Sequence, residues 1–544
     1  MRKTLNQIPI RFLLWGLMPL ILFAIILPFY SNHFLNYARE IIDATLTWFI
    51  IYALGFLLSF KVVKRFWFFV TLTLFSFSIF FKLSFYYLYE SKLTLSAFYI
   101  LFETNASEAG EFLSTYFNWF VIVLFLILFF ALYKQYQSLF SKTPTKYSID
   151  VYSSFKIKNV LIASFLLGGV FISGYVIKKK LSAYNIYYST KNAYMGYEEM
   201  QRVFQSNLAK PTSNHFSGII SKDIPQTYVV VIGESTTSKN MSLYGYYRKT
   251  NPKLEEIRDE LLVFNNVIAP NAHTIPSLNK VLTLSNYENI KAIEMGSALQ
   301  LANGAGFETY WISNQQPLGI YENMVTLLSK ACDNQIFLSE ENSRYGSPDE
   351  VVFPHLKSAL QDTAKKKLII VHLMGTHSVY KYRYPESFNI FKNAPQTKFP
   401  SETATTMINE YDNAVLYNDF VVREIIDLVK AENKNSFVVY FSDHGDEVFH
   451  DINFIGHSEY QGTDAMYEVP FLVWLSEDFK KFNANAKNIA HYTDRKYLLD
   501  DFIHSLFDLG RIQFDQLEPE RSIFSPDFKN RKRIIKNHID FDAR

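Results

Sequence analysis

Apolar residues are spread unevenly along the 544-residue chain. Long apolar runs cover residues 12–30, 44–60, 66–87, 119–133 and 160–177. A helix that crosses the hydrocarbon core of a bilayer needs about 20 mostly apolar residues. All the runs meet or approach that length; the fourth is short and is expected to begin a few residues earlier. One such run alone reads as a buried core helix. Five in succession, with few charges inside, predict five transmembrane helices. The first run is long for a signal peptide, and Pro28, Phe29 and Tyr30 follow it where a small-x-small cleavage site would stand. It reads as a retained helix.

Lys and Arg in the short loops set the expected orientation. Arg2, Lys3 and Arg11 precede the first run, Lys61, Lys64 and Arg65 follow the second, and Lys134, Lys142, Lys146, Lys156 and Lys158 follow the fourth. The opposite loops hold Arg39 and Lys92. The N-terminus is therefore expected in the cytoplasm and the C-terminal part outside. Lys178, Lys179 and Lys180 oppose this bias and suit anionic headgroups instead. Tyr184, Tyr187, Tyr188, Tyr194 and Tyr197 crowd the next stretch. Tyrosine has an apolar ring and a wet hydroxyl, so an interfacial linker resting on the bilayer is expected over 181–226. An ordinary solvated linker is the plainer reading.

From 227 onward the pattern changes. Apolar runs of strand length recur at 228–232, 309–312, 368–373, 437–441 and 470–475, rich in Val, Ile, Tyr and Phe. Helical periodicity lies between them, as over 411–430. Continuous apolar strands alternating with helices predict an α/β domain whose largely parallel sheet is covered on both faces. The expected organisation is thus a transmembrane domain at 1–180, a linker at 181–226 and a catalytic domain at 227–544. There are no internal repeats. A net charge of +2, with no Lys/Arg block among aromatics, argues against a nucleic-acid partner. The single cysteine, Cys332, rules out an internal disulfide and identifies no compartment.

Sites in parallel α/β sheets sit at the carboxyl ends of the strands. Three predicted strands deliver polar groups there. The first runs into Gly233, Glu234, Ser235 and Thr236; the run 437–441 leads into Ser442, Asp443, His444, Gly445 and Asp446; the run 368–373 ends near Gly375, Thr376 and His377. Carboxylate oxygen and imidazole nitrogen are ligands that zinc accepts. A turn past the strand end can bring the adjacent Asp443 and His444 to one ion. Taken singly, each has a plainer reading: Glu234 as a turn or cap residue, Asp443 as a capping Asp.

The stretch VVVIGESTTSKNMSLYGYYRKTNP at 229–252 closely resembles the first signature of the phosphoethanolamine transferases of the alkaline phosphatase and sulfatase superfamily. FNNVIAPNAHTIPSL at 264–278, WISNQQ at 311–316, VHLMGTHSVYKYRYP at 371–385, EYDNAVLYNDF at 410–420, FSDHGDE at 441–447 and GHSE at 456–459 follow in order. With the helices, the resemblance covers nearly the whole chain. It implies Zn2+ held by Glu234, Thr274, Asp443 and His444, with Thr274 as nucleophile. It also implies His377 and His457 near the phosphate, and Asn314 and Gln315 in the headgroup-contact region. The implied reaction takes phosphoethanolamine from phosphatidylethanolamine and passes it to lipopolysaccharide, at the periplasmic face of the inner membrane. Lipid A-modifying members carry several disulfides in this domain. The lack of paired cysteines here tilts the acceptor toward core heptose.

Alternatives stand beside this reading. Thr274 also reads as a loop threonine, Thr236 and Thr237 are rival nucleophiles beside Glu234, and His450 is a substitute for His457. A lipoteichoic-acid-synthase-like phosphoglycerol transferase shares the layout. A sulfatase would need a C/S-x-P-x-R pattern, and Cys332 is followed by Asp333, Asn334 and Gln335. A transporter would carry ionisable groups within the membrane; the main candidate is Lys82, expected to snorkel from an outer helix end. A non-enzymatic membrane scaffold would hold no stoichiometric zinc.

Overall fold

In the computed structural model, residues 7–30, 34–89, 92–93, 98, 118–140, 148–150, 156–315, 324–339 and 347–544 are described. The apolar runs are helical: α1 (Ile10–Ile26), α2 (Phe34–Leu57), α3 (Lys61–Tyr89), α4 (Trp119–Phe140) and α5 (Lys156–Lys180). Five helices are thus long and apolar enough to cross a membrane. α4 reaches its length by continuing past Tyr133 to Phe140, not by starting before Trp119. The stretch read as a linker contains a further helix, α6 (Ile186–Val203). The chain divides into two units after residue 197, inside α6. Tyr184 and Tyr197 are buried within the first unit, while Tyr187 and Tyr194 are exposed.

The first unit is packed by aromatic side chains. Phe12, Tyr52, Phe68 and Phe75 share one buried cluster. Indole N–H groups satisfy helix carbonyls, Trp48 Nε1 donating to Gly16 O at 2.8 Å and Trp67 Nε1 to Ile51 O at 2.9 Å. Lys82 does not snorkel. It is buried, with Nζ 2.7 Å from Glu40 Oε2 and 3.0 Å from Asp43 Oδ2. It also donates to Tyr184 O. Asn185 Nδ2 donates to Asp43 Oδ1 at 2.9 Å, which ties the segment after α5 to the same charges. The apolar window of the second run begins at residue 44, so sequence alone left Glu40 and Asp43 outside it.

The second unit is built on a seven-stranded sheet. Its strands are β1 (Gln226–Gly233), β2 (Leu261–Val263), β3 (Glu308–Ser313), β4 (Asn334–Phe337), β5 (Lys366–His372), β6 (Ser436–Ser442) and β7 (Phe471–Leu475). The order is β2-β7-β6-β1-β5-β3-β4. β6, β1, β5, β3 and β4 are parallel neighbours; β7 is antiparallel to both β6 and β2. The run at 470–475 is therefore a strand, but it runs against the rest. Every residue of β1 is buried, as expected of a strand with both faces covered. A long helix, α8 (Glu402–Ala431), lies in the core cluster through Ile408, Tyr411, Val415, Val422 and Val429, with the sheet's Val229, Val231 and Val438. Ser401 caps it, accepting from Ala404 N at 3.0 Å.

The registers decide where the strands end. Gly233 of β1 stands opposite Ser442 of β6, and Ile232 opposite His372 of β5. Three central strands stop at one level, so the residues that follow them emerge side by side.

Candidate active site

Glu234, Asp443 and His444 emerge there together, and all are buried. One ligand atom from each lies within 4.8 Å of the others. His444 Nε2 is 3.1 Å from Glu234 Oε1 and 3.6 Å from Asp443 Oδ2. Thr274 joins them: its Oγ1 is 3.2 Å from Glu234 Oε2 and 3.4 Å from His444 Nε2.

Local geometry explains the cluster. Ser235 has a positive φ of 59°, a strained value for a residue with a side chain. The turn is held on every side. Ser235 N donates to Asp443 Oδ1 at 3.2 Å, Ser235 Oγ donates to Glu234 Oε1 at 2.8 Å, and Tyr411 Oη of α8 donates to Ser235 O at 2.8 Å. Gly375 backs the same turn. At φ +54° its missing side chain leaves room for Glu234; a Cβ there would sit 2.7 Å from Glu234 N. Thr274 is the first residue of the helix α7 (Thr274–Val281), whose N-cap is His273. Ser277 Oγ on α7 donates to Asp443 O at 2.6 Å and docks this helix on the β6 turn.

The cluster can hold a cation. His444 Nδ1 lies 3.1 Å from Gly445 O. With a proton donated there, Nε2 faces the two carboxylates and would give up its own proton to take a metal. Asp443 Oδ2 is buried without a hydrogen-bond partner. Burial, then the Glu234 charge, pushes the Asp443 carboxyl up to about 8. Burial opposes charge on His444, but Asp443 and Glu234 outweigh it and raise its imidazole to about 10. Burial would also raise Glu234, yet the hydrogen bond and charge of His444 hold it well below the usual range. Two carboxylate oxygens, an imidazole nitrogen and a hydroxyl oxygen converge. That donor set fits a tetrahedral zinc ion.

A second group adjoins the first. His457 Nδ1 is 2.8 Å from Asp446 Oδ1, and Asp446 Oδ2 accepts from Tyr380 Oη at 2.7 Å. The His457 ring is 4.2 Å from that of His444 and 4.9 Å from that of His273. An imidazole whose Nδ1 is fixed by a carboxylate has its Nε2 free for proton transfer. His377 follows Thr376, whose backbone N donates to Glu234 O at 2.9 Å. Burial pushes the His377 imidazole down to about 4, so it is neutral at pH 7. Gln315 Nε2 donates to Glu234 Oε2 at 3.2 Å and to Leu373 O at 3.0 Å. Asn314 is not brought to the cluster. It is buried, with Nδ2 donating to Ser347 O and to Asp349 Oδ1, and Asp349 in turn holds the N–H groups of Met374 and Gly375.

The rival residues are engaged elsewhere. Thr237 Oγ1 accepts from Lys239 N as the cap of a short turn, Thr236 Oγ1 faces Glu234 O and Thr376, and His450 Nε2 lies 2.6 Å from Asn240 Oδ1. Tyr380 and His273 were not singled out from the sequence, and Asp446 was given no role there. Asp446 stands inside FSDHGDE, but only its contact with His457 reveals its part.

A family model described as Sulfatase matches residues 226–512. Phosphoethanolamine transferase EptC of Escherichia coli (strain K12) is 35% identical over 494 residues, 85% of this chain and 84% of that protein. The chain belongs to the phosphoethanolamine transferase family. Within that family, the C-terminal periplasmic domain of EcEptC from Escherichia coli, a complex with Zn, superposes with a TM-score of 0.58 at 37% identity, covering 60% of this chain and 96% of that one. The integral membrane protein lipooligosaccharide phosphoethanolamine transferase A (EptA) from Neisseria meningitidis covers 92% of this chain and 97% of that one, at a TM-score of 0.62 and 18% identity. It shows that helices followed by a sulfatase-like α/β domain form one shared fold. Membership of this family makes the chain an enzyme and sets aside the scaffold and the sulfatase.

Proposed function

We propose that this chain transfers phosphoethanolamine from phosphatidylethanolamine to lipopolysaccharide through a covalent intermediate on Thr274. The observation that carries the reading is the Thr274 hydroxyl, held against Glu234 and His444 beside Asp443 at the start of α7. A threonine hydroxyl is a weak nucleophile until activated. Zinc, when bound to Glu234, Thr274, Asp443 and His444, supplies the charge that lowers the pKa of a coordinated hydroxyl and offsets phosphoryl charge.

Thr274 Oγ, its proton already released to solvent, attacks the donor phosphorus and forms the Oγ–P bond. The bond from phosphorus to the diacylglycerol oxygen breaks, and that oxygen takes a proton from His457 Nε2. Asp446 stabilises the imidazolium through Nδ1. In the second half His457 takes the proton of an acceptor hydroxyl, which attacks phosphorus and releases Thr274. His377, neutral at pH 7, donates a hydrogen bond to a phosphoryl oxygen, and Gln315 holds Glu234 in place.

A periplasmic place for the domain read as 227–544, beside an inner membrane, is supported by its likeness to the C-terminal periplasmic domain of EcEptC. The helices of residues 1–180 anchor the chain in the membrane, with 181–226 as the interfacial connector. The single cysteine favours core heptose over lipid A as acceptor. The test is mass spectrometry of Thr274 peptides from full-length protein incubated with phosphatidylethanolamine. Phosphoethanolamine on Thr274, lost in Thr274→Ala that keeps its zinc, is the expected outcome. An unmodified Thr274 in protein that turns over refutes it. Mass spectrometry of lipid A and core separately, from cells with and without the protein, names the acceptor.

A further inference from the structure

We propose that Glu459 is a positioning residue that sets the distance between the nucleophile segment and His457; this rests on Thr274 being the nucleophile. His457 and Glu459 leave one short turn, just after the strand pair Glu447–Val448 and Ile455–Gly456. Gly456 adopts φ +96°, which frees the chain to reverse there. The two side chains then serve different partners. His457 reaches Asp446, whereas Glu459 reaches the loop that leads into Thr274. One oxygen, Oε1, accepts from Asn271 Nδ2 at 2.8 Å and from Ala272 N at 3.0 Å. The other, Oε2, accepts from Tyr467 Oη at 3.3 Å. Asn271 is fixed in turn by Lys280 Nζ of α7, which donates to its Oδ1 at 2.7 Å.

The C-terminal hairpin backs both sides of this contact. Lys536 and Asn537 take positive φ values of 53° and 66° between the strands Ile534–Ile535 and Ile539–Asp540, as a tight hairpin turn requires. At that turn Lys536 N donates to Pro270 O at 3.0 Å, and its Nζ donates to Glu459 O. The loop before Thr274 and the turn bearing His457 are thus fastened to each other by one carboxylate and to a common support by one lysine. Asn271, Lys280 and Glu459 are all buried, so water does not compete for these bonds. None of them reaches the ligand cluster. The effect of Glu459 on the reaction is through the placement of Thr274 relative to His457. A displacement of about 1 Å between reacting groups lowers rates by roughly a hundredfold.

The experiment measures the single-turnover rate of Thr274 modification in full-length, zinc-loaded protein with phosphatidylethanolamine as donor. Glu459→Ala is expected to slow it about ten- to a hundredfold, with zinc content unchanged and the donor KM within about twofold. Glu459→Gln keeps a carbonyl oxygen for Asn271 and Ala272, so it is expected to restore most of the rate; a purely charge-based role would not be rescued. Asn271→Ala tests the same contact from the other side and decides the matter if Glu459→Ala does not fold. The double variant is expected to be no slower than the slower single one, because the two residues act as one contact. Modified wild-type Thr274 with an unslowed Glu459→Ala or, where that variant does not fold, an unslowed Asn271→Ala overturns this inference alone, as does a Glu459→Gln variant as slow as the alanine. Wild-type turnover without modified Thr274 overturns the nucleophile reading and this inference with it.

Discussion

Replacing Lys82 by methionine keeps most of the length of the side chain and removes its charge. Glu40 and Asp43 then share a buried site with no ammonium between them. Both carboxylates lie within 3.0 Å of Lys82 Nζ, and all three side chains are at most 6% exposed. Removing one partner of such a buried pair costs about 3–5 kcal/mol, because the remaining charge stays desolvated. At about 2–4 °C per kcal/mol for a unit of this size, the melting transition of the helical unit should fall by roughly 6–20 °C. The assay is tryptophan fluorescence of the full-length protein in detergent, where Trp48 and Trp67 report on this unit through their indole contacts. The triple change Lys82→Met, Glu40→Gln, Asp43→Asn should recover most of the loss, since replacing a whole buried ion group is often neutral. An unchanged transition in Lys82→Met would mean that its ammonium reaches solvent, as a snorkelling lysine would, and would refute the buried-cluster reasoning.

Two further outcomes follow from the second unit. Asp446→Asn should lower kcat by about a hundred- to ten-thousandfold, since the carboxylate orients His457 and stabilises its imidazolium; unchanged steady-state turnover would remove His457 as the proton carrier. Zinc binding should release protons and weaken in acid. Below about 8 the Asp443 carboxyl keeps a proton that the metal must displace, so affinity falls about tenfold per pH unit for each proton released. Calorimetry in buffers of different ionisation enthalpy measures this, and an affinity that does not change between pH 6 and 8 would contradict it.

Hydrophobic patterning was enough for the five apolar helices and the central strands, because each is a continuous run that periodicity reads directly. It failed where an element is short or breaks the pattern. β2 is three residues long and β4 lies in the mixed stretch Asn334–Phe337, so neither stands out from loop sequence. The direction of β7 was also illegible, since an apolar strand reads the same whichever way it runs. Lys82 was misread for a related reason. A lysine near a helix end snorkels unless carboxylates lie beside it, and those carboxylates stand 42 and 39 residues earlier.

The site divides along the same line. Glu234 and Asp443 were legible because in-register parallel strands must end together, and the residue after each strand must then meet its neighbours. Thr274 and His457 reach the same point through loops, so nothing local to them marks their role; Gln315 follows the end of β3, whose last residue pairs with His372, and the family resemblance carried all three. Below that level sequence gives no signal at all. Asn314 and Gln315 are adjacent amides in one motif, yet Gln315 contacts Glu234 while Asn314 turns to Asp349 and supports the loop that leads to His377. Likewise His457 and Glu459 stand two residues apart in GHSE, one bonded to Asp446 and one to the segment that leads into Thr274. What separates a reacting residue from its support is which long-range partner it meets, and that is set by the ends of strands far apart in the chain.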